Sequence, residues 1–379
     1  MKTGAPQQGS GYFLYHSIGM YPGKSDQMAA AFAHLSEIWG RWDDGQWGAA
    51  LALRQEYLDL WGDLIAAPPG TLTSAENVTT ALFSLIGALP RDHLAGRSIL
   101  VAADCFPSLH FLLAGLQDRL GFTLKTVPLR PAEAWVRDED IIAAWDRQVG
   151  LALLTQVTST ASFRCDLPAL VAHGRRMGSL VGVDVTQGIG LIPWRVDEPA
   201  VDFAVSSTLK WLCGTSGAGI LYVRAPLLAT CRPELRGWFS QENIFSWDLD
   251  SFRYAGDARR FDHGTPSVLA CVGSVPALRW HRAQPPGALL AHNRALGAQI
   301  IAGLHGRGLT LVSPAAEGRR GGSLMFRVPA DTPPARLVDD LRTRGLYLDC
   351  RGQVLRISPG SVTTAEGAAR LVEALGGGA

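Results

Sequence analysis

Apolar residues in the first part of the chain recur at helical spacing, at Met28, Phe32, Leu35 and Ile38 and again at Leu51, Leu53, Tyr57 and Leu60. This predicts helices across 26–66. Pro68-Pro69-Gly70 ends the pattern, and a further helix is expected from about Val78 to Leu89. Beyond it, short apolar runs alternate with amphipathic segments. The runs are Ser98–Ala102, Thr123–Val127, Leu151–Thr155, Leu180–Asp184, Phe203–Ser206 and Gly219–Val223. The segments Pro107–Leu120, Glu139–Trp145 and Leu167–Met177 read as helices between them. That alternation predicts an α/β fold, a mainly parallel sheet with helices on both faces. Residues 227–263 are irregular and aromatic (Trp238, Phe239, Phe245, Trp247, Phe252, Tyr254), which suggests a functional insertion or a subunit contact. Helix is expected again over Thr265–Leu304. Strand patterns at Thr310–Val312, Ser323–Val328 and Val354–Ile357, with helices at Pro334–Arg344 and Thr364–Leu375, then describe a smaller C-terminal α+β domain.

Composition narrows the function classes. The chain has 379 residues, 47% of them hydrophobic, and a formal charge of +1. It is long enough for a large domain and a small one with an ample core. A balance so close to neutral supplies no field for nucleic acid or an anionic membrane. Met1–Pro6 lacks the apolar segment of a signal peptide, and no apolar run reaches membrane-spanning length. The six cysteines are scattered without a Cys-x-x-Cys pair. Neither a zinc site nor a disulfide framework is expected, and a cytoplasmic location fits.

Lysine usage points to chemistry. Only Lys2, Lys24, Lys125 and Lys210 occur among 35 Lys and Arg residues. Lys210 ends an apolar run that begins at Asp202, and the glycine-rich turn Gly214–Gly219 follows it. Arg does not lose its proton near neutral pH, whereas a desolvated Lys can, and the neutral amine attacks an aldehyde to form an imine. Asp184 ends the preceding strand, and ligands of open α/β sheets sit outside the carboxyl ends of strands. A carboxylate there keeps a pyridine nitrogen protonated; taken alone, Asp184 reads equally well as a helix N-cap. Asn77-Val78-Thr79 opens a helix, where free N–H groups suit a phosphate, or where Asn77 simply caps. Ser207 adds a hydroxyl. Phe106 is a ring stacker or a core residue. Arg356, flanked by apolar residues, has the fork to bind a carboxylate, from a substrate or from an internal salt bridge.

Pyridoxal 5′-phosphate held as an imine accounts for these signals together. The chain resembles the class V aminotransferase family of fold-type I pyridoxal-phosphate enzymes through Asp184-x-x-Gln187 and Ser207-x-x-Lys210. Within that family it is most like kynureninases. Ser17–Pro22, Trp42–Trp47, Phe106-Pro107-Ser108, Leu154–Val157, Val201–Ala204, Gly237-Trp238-Phe239, Gly264-Thr265-Pro266 and Gly345-x-x-x-Asp349-x-Arg351 carry the likeness in order. It implies a fold-type I large domain with a seven-stranded sheet over 26–275, a small domain over 276–379, and a segment 1–25 packed on the small domain. It implies Lys210 as imine lysine and Asp184 as pyridinium partner. Asn77, Val78, Thr79, Phe106, Thr158, Gln187, Ser207, Trp238 and Thr265 would bind cofactor, and Arg356, His16 and Ser17 substrate. A homodimer follows, with Thr265 reaching the partner subunit's phosphate. No metal is implied.

The departures bear on the reaction. Kynureninases usually carry histidine where Gly45 and Gln241 stand, and tyrosine where Leu209 stands. Kynurenine is therefore not the expected substrate. The expectation is a lyase acting at the β-carbon of an amino acid, kynureninase-like or on a cysteine S-conjugate. An aminotransferase or decarboxylating deaminase is the alternative. A cysteine desulfurase would need Cys350 as a mobile nucleophile, and a non-catalytic cofactor-binding protein would not need Lys210, Asp184 and Arg356 together. Gly19–Ser25 imitates a P-loop but has one residue too few between its glycines.

Overall fold

The computed structural model describes residues 10–376; the segment Met1–Pro6, on which the expectation about a signal peptide rested, lies outside them. In chain order the elements begin with β1 (Gly11–Tyr12), α1 (Lys24–Trp39), α2 (Gln46–Ile65), β2 (Leu72–Ala75) and α3 (Val78–Ile86). They continue with β3 (Ser98–Ala102), α4 (Pro107–Leu120), β4 (Thr123–Val127), α5 (Asp138–Ala144) and β5 (Val149–Thr155). Next come α6 (Leu167–Met177), β6 (Leu180–Asp184), β7 (Phe203–Ser207), β8 (Gly219–Val223), α7 (Ala225–Thr230) and α8 (Leu269–Arg282). The last elements are α9 (Ala288–Leu304), β9 (Thr310–Leu311), β10 (Leu324–Arg327), α10 (Pro334–Thr343), β11 (Leu346–Tyr347), β12 (Asp349–Arg351), β13 (Val354–Ile357) and α11 (Ala365–Gly376).

Seven strands form the main sheet in the order β2-β8-β7-β6-β5-β3-β4. From β4 to β7 every pairing is parallel; β8 runs against both of its neighbours. The fold is thus α/β with a mainly parallel sheet. Strands such as β6 and β8 are buried at every residue, as a sheet covered on both faces requires. One core cluster joins Tyr57, Trp61, Ala152, Val183 and Ala204. A second joins Leu82, Leu85, Ile99, Leu153 and Val205. Neighbours along β5 and β7 fall in different clusters because successive side chains face opposite sides of the sheet. β12-β13-β10-β9 form a separate antiparallel sheet, and β1 pairs in parallel with β11.

The structure differs in several details from the pattern expected along the chain, among them the short strands β1, β11 and β12 and the helix α7, none of which was expected. β2 was not foreseen: Leu72-Thr73-Ser74-Ala75 is a short, half-polar edge strand with no apolar run to announce it. α3 stops at Ile86, three residues early, where Gly87 takes the C-cap position. The helix expected across Thr265–Leu304 is two helices, since Pro285-Pro286-Gly287 cannot continue one.

Candidate active site

The carboxyl ends of β6 and β7, adjacent and parallel, bring Asp184 and the turn carrying Lys210 to one edge of the sheet. The Lys210 Nζ lies 5.2 Å from the centre of the Phe106 ring. Phe106 precedes α4, whose Pro107 occupies the first helical turn, and its ring is 44% exposed, which a core phenylalanine would not be. Burial pulls the Lys210 pKa down; the nearby Asp184 opposes this and Arg356 adds to it. Asp184 is buried and its pKa is raised, first by desolvation, against hydrogen bonds from Thr186 and the charge of Lys210. Its Oδ1 accepts the Thr186 N–H at 2.9 Å, so it shapes a local turn and caps no helix.

At the start of α3, Asn77 Oδ1 accepts the Thr80 N–H at 3.0 Å and Thr80 Oγ1 returns to the Asn77 backbone. This capping box leaves the N–H groups of Val78 and Thr79 without partners among the described residues. Ser207 pairs in register with Gly219, and a Cβ built on Gly219 would lie 3.7 Å from Asn77 Cα. Ser207 and the α3 N-terminus are therefore neighbours. The Ser207 Oγ is buried without a hydrogen-bond partner among the described residues. An orphaned hydroxyl beside free helix N–H groups fits a phosphate, and an exposed ring beside a desolvated lysine fits the pyridine of pyridoxal phosphate.

The other expected residues are placed as follows. Gln187 Nε2 donates to the His16 carbonyl at 3.1 Å and its Oε1 accepts from Trp211 Nε1 at 3.3 Å, so the amide ties down the N-terminal segment. Thr158 Oγ1 accepts the Phe163 N–H at 3.0 Å and anchors a turn. Trp238 packs edge-on against Phe239. Thr265 lines a groove of about 410 Å³ together with Arg54, Glu76, Thr80 and Asp262. Ser17 donates its N–H to the Leu14 carbonyl in the same N-terminal turn. Lys24 sends Nζ to the carbonyls of Gly19, at 2.7 Å, and Gly214, at 3.3 Å, so the P-loop look-alike cradles no anion. Cys350 lies on β12 opposite Leu355, held in a sheet.

Arg356 already has a carboxylate. Its Nε donates to Asp349 Oδ1 at 2.8 Å and Nη2 to Asp349 Oδ2. Asp349 also takes His16 Nε2 at 3.0 Å, and His16 Nδ1 meets Ser358 Oγ at 2.7 Å. Both ring nitrogens of His16 are thus engaged with protein, not turned to a ligand. Asp349 escaped assignment in the chain reading. The available signal was a hairpin: Gly352-Gln353 joins β12 to β13, and Asp349 falls directly opposite Arg356.

Comparison with known proteins gives the family. Residues 63–352 match the family described as Aminotransferase class-V. The chain is 26% identical over 325 residues to an uncharacterized aminotransferase, YcbU, of Bacillus subtilis, covering 84% of this chain and 82% of the relative. It is 26% identical over 388 residues to a kynureninase of Xanthomonas euvesicatoria, covering 93% and 88%. The solved complex of the cystine C–S lyase C-DES with cysteine persulfide superposes with a TM-score of 0.86 at 20% identity, over 97% of both chains. The cysteine desulfurase CsdA of Escherichia coli gives 0.84 at 20%, over 97% and 94%. The chain belongs to the class-V aminotransferase family of pyridoxal-phosphate-dependent enzymes.

Proposed function

We propose that the enzyme is a lyase that cleaves a carbon–sulfur or carbon–carbon bond at the β-carbon of an amino acid. The observation that carries it is the Lys210 amine, desolvated between Asp184 and Arg356 and facing the exposed Phe106 ring. When bound, pyridoxal phosphate supplies a ring that stabilises negative charge at the substrate α-carbon. Lys210 is the residue that anchors it and then takes the α-proton, a role its lowered pKa favours. The Asp184 carboxylate holds the proton at the ring nitrogen. The Ser207 hydroxyl and the N–H groups of Val78 and Thr79, with Asn77, hold the phosphate, and Phe106 covers the ring. Thr158 and Gln187 complete the surroundings of the cofactor. Arg356 keeps N–H groups beyond those given to Asp349, and these receive the substrate carboxylate. In a homodimer, Trp238 and Thr265 would serve the partner subunit's cofactor.

Kynureninases among the relatives and a C–S lyase among the structural neighbours support β-carbon chemistry. Leu209 and Gln241, where kynureninases have tyrosine and histidine, argue for a substrate other than kynurenine, such as a cysteine S-conjugate. The test is incubation with S-substituted cysteines. Pyruvate, ammonia and free thiol in equal amounts are expected. An aldehyde with carbon dioxide, or amino transfer to a keto acid, would instead assign the protein to the deaminase or aminotransferase branch, which the Bacillus relative's name favours. Lys210→Ala should abolish turnover and remove the borohydride-reducible absorbance near ~420 nm.

A further inference from the structure

Five side chains form a continuous relay between the N-terminal segment and the small domain. Ser323 Oγ lies 2.6 Å from Ser358 Oγ, Ser358 2.7 Å from His16 Nδ1, and His16 Nε2 3.0 Å from Asp349, which Arg356 grips with two donors. The proton positions follow. Ionised Asp349 only accepts, so His16 carries its proton on Nε2. Nδ1 must then accept from Ser358, whose single proton is thereby spent, so Ser323 donates to Ser358. Burial pulls the His16 pKa down, and the charges of Arg356 and Lys210 add to this against Asp349. His16 is therefore a neutral bridge. Desolvation pushes the Asp349 carboxyl up, but the hydrogen bonds from His16 and Arg356 and the Arg356 charge outweigh it and hold Asp349 well below the ordinary carboxylate range.

The charges at this pole can be counted. Arg356 and Arg351, whose Nη1 is 3.6 Å from Asp349, bring two positive charges. Asp349 brings one negative charge and His16 none. Among these four groups one positive charge remains, and Lys210 and Asp184 act on the same cluster. The Arg356 side chain is 11% exposed, so its fork has little freedom once Asp349 fixes one edge. A guanidinium held in this way presents its other N–H groups without a further loss of rotamer entropy on binding.

We propose that Asp349, itself held by His16, is the positioning residue that sets Arg356 as the receptor for the substrate carboxylate. The proposal rests on the assignment of Arg356 to the substrate carboxylate made above.

The experiment titrates the cofactor-loaded protein with L-alanine and with ethylamine, the same skeleton lacking the carboxylate, and follows the visible absorbance. Asp349→Asn should weaken L-alanine by at least about tenfold while ethylamine changes by less than about twofold. Asp349→Glu should recover part of the loss. A merely structural role would weaken both amines together and would overturn the proposal. So would unchanged or tighter binding of L-alanine to Asp349→Asn, because Asp349 would then compete with substrate for Arg356. Arg356→Gln separates the two claims. If it weakens L-alanine while Asp349→Asn does not, only the positioning role fails. If Arg356→Gln leaves L-alanine unchanged, the carboxylate assignment fails and the proposal with it. Should Asp349→Asn not load cofactor, His16→Gln carries the same comparison: a drop in the preference for L-alanine over ethylamine is expected, and an unchanged preference overturns the proposal.

Discussion

At the scale of single residues, environment decides what each group does. Asp184 had an alternative reading as a helix cap, and its hydrogen bond to the Thr186 N–H in a turn, buried beside Lys210, speaks against it. Asp104, one residue from Cys105 and two from Phe106, is a further buried carboxyl. Its Oδ2 accepts the Val136 N–H at 3.0 Å, and desolvation raises its pKa to about 6. A folded-state pKa above the unfolded value near ~3.9 means that the native state binds this proton more tightly. The associated stability is complete below the unfolded pKa and is lost as pH rises through about 6. The loss by pH ~7 is roughly 3 kcal/mol. Asp104→Asn keeps a carbonyl to receive the Val136 N–H and cannot ionise. Urea unfolding should therefore show a flatter pH dependence between pH ~4 and ~7 for this variant than for the wild type. Parallel curves for the two proteins would show that Asp104 does not carry the ionisation.

At the scale of elements, the segment between β1 and α1 is a strap that ties the C-terminal strands to the turn carrying Lys210. On one side the Phe13 N–H donates to the Tyr347 carbonyl and the Ser358 N–H to the Phe13 carbonyl, both at 2.8 Å. On the other side the Gly19 N–H donates to Leu209 at 2.9 Å, one residue before Lys210, and Lys24 Nζ pins Gly19 to Gly214. A Cβ at Gly19 would fall inside contact distance of the Lys210 carbonyl and 2.7 Å from Cys213 Sγ. Backbone cannot yield as a flexible side-chain end can. Gly19→Ala should therefore displace the Lys210 turn and lower kcat by about a hundredfold, in line with a misplacement of ~1 Å at the reacting group. Its overpacking should cost about 1–3 kcal/mol in stability. Wild-type kcat in a folded Gly19→Ala protein would show that the strap does not position the lysine. The sequence showed the segment Ser17–Pro22 as a motif of likeness, but not why a glycine stands in it. The reason is a contact between residues about 190 positions apart.

At the scale of the molecule, the α/β alternation was legible because fully buried parallel strands read as continuous apolar runs. β2 was not legible, since a four-residue half-polar edge strand depends on its pairing with β8 for its existence. Large apolar side chains remain exposed in the segment after α7, at Phe245, Trp247 and Leu249, and at Leu269 at the start of α8. Apolar surface of this kind is a mark of association. In sedimentation or light scattering the loaded protein should have twice the chain mass. Paired Trp247→Ser and Leu249→Ser changes should shift the mass toward the monomer and lower cofactor retention, because Thr265 would no longer reach the partner's site. A fully active monomer would remove the dimer from the proposed mechanism.

The chain by itself determined the class of sheet, the carboxylate at one strand end and the lysine just beyond the next, and the helix start proposed to receive phosphate. These signals are local: a few adjacent residues of the right polarity at the end of an apolar run. Tertiary structure alone decided that Arg356 is shared with Asp349, that His16 spends both nitrogens inside the protein, that Gln187 holds the strap, and that Ser207 is left with a free hydroxyl. Hydrogen-bond partners form across folded distances between side chains of short reach, and residue order carries no record of which donor meets which acceptor.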